Sequence, residues 1–177
     1  MTHRLLCTVL AIGCLSLASA SADIMVGFDP TDSTIPAVGG TATVNIVADI
    51  PQNEPVLVWG LDLDVADLGI ATWELVAIGP AWYAAPTPDG DELGGLAFPA
   101  GVWGEDVLLA TVQFTGLTPG STAIGLSDDY PVDLTEGFYL DPTGVGVPVY
   151  FPGSITVLPE PASLALLALG LVALRRR

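Results

Sequence analysis

The chain has no lysine, and its four arginines and one histidine all lie near its ends, as His3, Arg4, Arg175, Arg176 and Arg177. Both cysteines, Cys7 and Cys14, also fall close to the start. Residues 23–158 therefore contain no Lys, Arg, His or Cys. Without cysteine no disulfide can staple this region, so its fold must rest on its core alone. Without a cation nothing there can neutralise phosphates, which excludes nucleic acid as a partner. Salt bridges within the region are equally excluded. Each carboxylate must be solvated, hydrogen-bonded or bound to a cation from outside. The same absence removes the Ser-His-Asp triad, the thiolate nucleophile, the Schiff-base lysine and His-ligated zinc. Only carboxylate chemistry survives, as a glycosidase-type acid and base pair or a calcium-assisted site. No spacing singles out such a pair among the twenty Asp and Glu. The expectation is no catalytic residue and no enzyme, with a carboxylate-only glycoside hydrolase as the third-ranked reading.

What is present at the ends has a clear grammar. His3 and Arg4 form a small basic region, Leu5–Leu17 an apolar run, and Ala18-Ser19-Ala20-Ser21-Ala22 two overlapping A-x-A frames. This is the pattern of a signal peptide over residues 1–22, with cleavage marked by Ala20 and Ala22 and favoured after Ala22. The rival reading takes Ala11-Ile12-Gly13-Cys14 as a lipobox with Ala in place of its usual Leu. At the other end, Pro159-Glu160-Pro161 precedes an uncharged stretch, Ala162–Leu174, and then three arginines. Proline lacks an N–H and disfavours helix in the residue before it, so the preceding fold cannot run on into this stretch. As a helix the stretch would be roughly 20 Å long, short against a hydrocarbon core of about 30 Å. The arginines can snorkel to extend that reach, and they fix the cytoplasmic side.

The order Leu158-Pro159-Glu160-Pro161-Ala162-Ser163-Leu164, apolar helix and terminal arginines resembles a PEP-CTERM sorting signal. The resemblance covers residues 159–177. Its sorting residues are Pro159, Glu160, Pro161, Arg175, Arg176 and Arg177. It implies an exported bacterial protein, held transiently in the inner membrane by its C-terminal helix and handled by an exosortase-type transpeptidase. The destination it implies is the cell envelope or extracellular matrix.

Between the two ends, residues 23–158 are long enough for one domain with its own core. Ala42, Val44, Ile46 and Ala48 alternate with Thr41, Thr43 and Asn45, a period of two with one buried face. Leu57, Trp59, Leu61, Leu63 and Val65 repeat the pattern. Further strands are expected at Ile70–Ile78, Val107–Thr115, Thr122–Leu126 and Ser154–Leu158, with weaker ones at Ile24–Phe28, Gly137–Leu140 and Val147–Phe151. No convincing helical period occurs. Eight or nine short strands predict an all-β, two-sheet jelly-roll sandwich, flanked by the signal helix and the sorting helix. Pro36-Ala37-Val38-Gly39-Gly40-Thr41-Ala42-Thr43-Val44-Asn45-Ile46, with Val58-Trp59-Gly60-Leu61-Asp62-Leu63-Asp64-Val65, resembles the opening of a cohesin domain. Val107–Phe114 and the turn Thr115-Gly116-Leu117-Thr118-Pro119-Gly120 resemble a later strand and turn of that family. The likeness implies the fold; no short motif carries dockerin binding with it.

Gly79–Asp106 reads as one long irregular segment, the kind that is usually functional when it is not disordered. Its Trp82, Tyr83 and Trp103 are the candidate ligand aromatics, since such rings stack on sugars or peptides. The alternative is that they fold back over one end of the sandwich as a minor core; Trp59 and Trp73 sit in strands and are expected in the core. Asp89, Asp91 and Glu92 ring a glycine turn and are the calcium candidates, although they match no EF-hand loop. Asp128, Asp129 and Asp133 form a second acidic turn, and Asp62, Asp64 and Asp67 a weaker set. Solvated acidic turns are the alternative, and no cofactor is required. The functional expectation is an exported, non-enzymatic surface or matrix protein engaged in adhesion or exopolysaccharide association, with a polysaccharide or surface protein as partner. A carbohydrate-binding module is the alternative.

Overall fold

The computed structural model describes residues 23–85, 87, 93–142 and 144–160. The expected signal segment with Ala20 and Ala22, the calcium candidates Asp89, Asp91 and Glu92, and the tail from Pro161 through Arg175–Arg177 lie outside them. Among the described residues no helix is long and apolar enough to cross a membrane.

Fourteen strands form: β1 (Ile24–Asp29), β2 (Asp32–Ile35), β3 (Thr41–Ile50), β4 (Val56–Gly60), β5 (Asp62–Val65), β6 (Ala71–Ile78) and β7 (Tyr83–Ala84), then β8 (Gly94–Leu96), β9 (Gly104–Gly116), β10 (Gly120–Ser127), β11 (Gly137–Leu140), β12 (Val145–Gly146), β13 (Pro148–Tyr150) and β14 (Gly153–Val157). They make three sheets, ordered β13-β1-β3-β9-β6, β2-β14-β10-β5 and β12-β11-β4-β8-β7. The first sheet supplies Ile24, Val26, Phe28, Val44, Ile46, Ala48, Val112 and Phe114 to the core. The second adds Ile35, Leu63, Ile124, Ile155 and Val157, and the third Val56, Trp59 and Phe138. All belong to one buried cluster, so the three sheets enclose a single core.

The expected all-β class is present, but the arrangement of two sheets and eight or nine strands is corrected to three sheets. The run Leu57–Val65 explains why. Trp59, Gly60 and Leu61 are buried in succession, which breaks the alternation. The Leu61 N–H leaves the ladder and donates to the Leu93 carbonyl at 3.0 Å. The chain thus passes from the third sheet, as β4, into the second, as β5. Strand-switching of this kind makes corners in sandwiches. The supposedly irregular Gly79–Asp106 contains β7, β8 and the start of β9. These pieces, like β2 and β12, are too short or too glycine-rich for a period of two to register.

Two β-bulges shape the first sheet where β3 meets β9. One skips Leu109 between the pairs Ile46–Ala110 and Val47–Leu108, so Leu109 and Ala110 are buried side by side. The other lies between Ala48–Val107 and Ile50–Gly104 and takes Asp49 out of register with β9 while it stays paired with Met25 of β1. A bulge bends its strand and re-aims the side chains around it.

Candidate functional site

The second bulge builds a groove at the end of the first sheet. Met25 and Asp49 are direct partners across β1 and β3, and Ile50 faces Gly104 across β3 and β9. Asp49 Oδ1 accepts a hydrogen bond from the Asp106 N–H at 2.8 Å, and Asp106 itself holds φ at 49°. This pinned corner places Trp103, just before β9, over a cavity of about 640 Å³, whose walls also include Asp23, Met25, Asp49, Gln52 and Glu105. Trp103 is 52% exposed and Met25 44%, so an apolar floor remains open to solvent. The volume lies in the range of small-ligand sites, about 300–1,000 Å³.

The three aromatics singled out by sequence do not share one surface. Trp82 is buried: its ring stands edge-on to Trp59, with centroids 6.1 Å apart and planes at 84°. Its indole N–H donates to the Leu108 carbonyl at 3.0 Å. With its ring committed to the core, Trp82 cannot act as a stacking platform. Tyr83 is exposed on β7, at the edge of the third sheet, and is not a wall of the Trp103 groove. Trp59 is fully buried and Trp73 partly so.

A carboxylate cluster forms where sequence had grouped the acids differently. A Cβ on Gly60 would lie 2.3 Å from the Thr135 carbonyl oxygen, so the 128–136 loop crosses directly over β4 and only glycine leaves it room. The crossing brings Asp129 and Glu136 to Asp62, one carboxylate oxygen of each lying within 4.8 Å of the others. Two oxygens on opposite sides of a calcium ion are separated by about 5 Å, so these donors are spaced to share a hard cation. Glu136 is buried, and its Oε2 accepts from the Asp129 N–H at 2.6 Å. The other described acids of the sequence groups accept hydrogen bonds elsewhere. Asp64 Oδ2 accepts from the Ser127 hydroxyl, Asp67 Oδ1 from the Gly69 N–H, and Asp133 Oδ1 from both the N–H and hydroxyl of Thr135. Those bonds hold the Asp133 carboxyl below its usual pKa. Glu136 escaped sequence reading because it lies outside any periodic run and 74 residues from Asp62, with only Gly137 beside it as a local turn signal.

Beside the cluster, the Tyr150 hydroxyl donates to Asp128 Oδ2. Burial, then that hydrogen bond and the surrounding carboxylates, push the Tyr150 pKa far above the ordinary value. The folded pKa is raised, so this group's contribution is complete below the unfolded value of about 10 and is lost as pH rises beyond it. Tyr150→Phe is expected to flatten the fall in stability above about pH 10, while costing about 1 kcal/mol at neutral pH. Denaturant titrations across that alkaline range would check both effects.

Comparison with known proteins adds to this geometry. Residues 157–177 match the PEP-CTERM protein-sorting motif. No curated protein matches the chain in sequence. Among solved structures, a cohesin module from a Clostridium perfringens family 33 glycoside hydrolase aligns with 78% of this chain and 97% of its own length, at TM-score 0.56 and 8% identity. A chain of a type I cohesin–dockerin complex from Clostridium thermocellum aligns with 77% of this chain and 93% of its own, at TM-score 0.52 and 12% identity. The chain also spans 44% of a fragment holding domains 4 and 5 of the S-layer protein SbsC, at TM-score 0.40 and 15% identity. At such identities the likeness shows fold alone, and the sorting motif marks a protein exported and processed at the membrane. Residues 157–177 thus carry a PEP-CTERM protein-sorting motif, and the described residues before it form a cohesin-like β-sandwich.

Proposed function

We propose that this protein is a non-enzymatic component of the cell envelope or extracellular matrix, and that its sandwich associates with exopolysaccharide. The observation carrying this reading is the half-exposed Trp103 over an open groove with polar walls. An indole face packs against the apolar C–H surface of a sugar ring, while Gln52 and the flanking carboxylates offer partners to its hydroxyls. A lone exposed tryptophan held by a pinned bulge suits recurrent, weak binding along a polymer. The sorting tail delivers the domain to the surface where such polymers lie, through an exosortase-type enzyme. Dockerin binding is not part of this reading, because likeness of fold does not carry a binding surface with it.

Affinity electrophoresis through gels containing envelope polysaccharide tests the proposal. Retardation is expected for the domain, and Trp103→Ala should abolish it with no change in melting temperature. Tyr83→Ala should leave it intact. Equal mobility with and without polysaccharide would sink the reading, and turnover of glycoside reporters would overturn the non-enzymatic part. Processing is tested separately by the intact mass of protein released from the native surface. Residues 1–22 and the terminal arginines are expected to be missing, and a released form retaining Arg175–Arg177 would contradict the maturation step.

A further inference from the structure

The walls of the Trp103 groove carry more than an aromatic platform. Asp23, Asp49 and Glu105 are three carboxylates in one cavity, and no Lys, Arg or His occurs in residues 23–158 to offset them. Cleavage after Ala22 would add one α-ammonium at Asp23, leaving the carboxylates still in excess. Asp49 keeps one oxygen committed to the Asp106 N–H, which fixes the carboxylate in place on the wall. A half-exposed indole that shares a cavity with three carboxylates attracts a cation twice, through the ring quadrupole and through the carboxylates. The same charges repel an anionic polymer.

We propose that the groove selects a polysaccharide bearing free amines, an amino-sugar polymer with unacetylated hexosamine units, over neutral or uronic-acid polymers. This rests on the glycan reading above and names its substrate class. The sugar ring lies on Trp103, and its ammonium group meets Glu105, Asp49 and Asp23. Acetylation removes the positive charge and leaves only the stacking contact. A uronate brings a fourth negative charge into the groove.

The test is calorimetric titration of the mature-length domain with four hexamers: glucosamine, N-acetylglucosamine, galacturonate and lysine. The glucosamine hexamer is expected to bind at least tenfold more tightly than the acetylated one, about 1.4 kcal/mol. Its affinity should fall as NaCl rises, and the galacturonate hexamer should not bind. Trp103→Ala should weaken both glucosamine ligands. Glu105→Gln should narrow the gap between them while leaving the acetylated ligand unchanged, a readout that misfolding would not give. Equal affinity for the amine and acetylated hexamers overturns the charge selection but leaves the glycan reading standing. Binding of neither overturns both. Lysine hexamer binding as tight as the glucosamine hexamer, and insensitive to Trp103→Ala, overturns the sugar as occupant.

Discussion

Trp59→Ala is expected to cost about 3–5 kcal/mol, the range for deleting a fully buried large aromatic. For a domain of this size that corresponds to a fall in melting temperature of roughly 10–20 °C. Trp59 is fully buried and packed edge-to-face against Trp82. A Cβ placed on Gly95 would come within 2.4 Å of its indole nitrogen, so β8 lies directly against the ring. The truncation would remove the ring from the point where β4 leaves the third sheet, with neighbours on rigid strands that cannot collapse into the gap. Its indole nitrogen has no hydrogen-bond partner among the described residues. Trp59→Phe therefore gives up no hydrogen bond and should cost well under half as much as the alanine change. Thermal melts followed by near-ultraviolet circular dichroism would report stability and the Trp59–Trp82 pair together. An alanine variant melting within a few degrees of the parent would show that the sheets do not depend on this ring.

Divalent cation should produce the second large effect. The domain is strongly acidic with no internal cation, and its self-repulsion opposes the compact state. Calcium shared by Asp62, Asp129 and Glu136 would relieve the densest part of that repulsion. At a hundredfold excess over Kd the added stability is about 2.7 kcal/mol, worth roughly 8–10 °C. NaCl at matched ionic strength should recover only the diffuse, screened part. Melting curves in calcium, in chelator and in NaCl measure the difference, and Glu136→Gln should remove the calcium-specific rise. Identical curves in calcium and NaCl would show that the cluster holds no ion. A calcium-specific rise that survives Glu136→Gln but disappears with Asp89→Asn plus Asp91→Asn would move the ion to Asp89 and Asp91.

The sites show how far local sequence carries. A tryptophan in a Gly- and Pro-rich stretch stands out in sequence, and that logic nominated both Trp103, which the fold leaves exposed, and Trp82, which it buries. Exposure depends on which way the chain turns at Gly79 and Pro80, and a composition argument cannot see that turn. The groove's carboxylates were not legible as a set. Asp23, Asp49 and Glu105 come from the start of β1, the bulged end of β3 and the beginning of β9. Of the acids grouped by proximity in sequence, Asp64, Asp67, Asp128 and Asp133 accept hydrogen bonds from Ser127, Gly69, Tyr150 and Thr135, while Asp62 lies with Asp129 and Glu136 across the Gly60 crossing.

By itself the sequence determined what rests on composition and short periods. Alternation of apolar and polar residues made the domain β, because side chains in a strand take opposite faces. The absence of Lys, Arg, His and Cys from residues 23–158 excluded the chemistry that needs those side chains there, however that region folds. The order of prolines, apolar stretch and arginines marked the sorting tail, because that signal is linear. Only tertiary structure decided the rest. The three-sheet arrangement follows from one break in alternation at Trp59-Gly60-Leu61, whose consequence depends on the partners that β4 and β5 find more than thirty residues away. The groove and the carboxylate cluster depend on a bulge and a loop crossing. Both are set by pairing between distant strands, which no local pattern encodes.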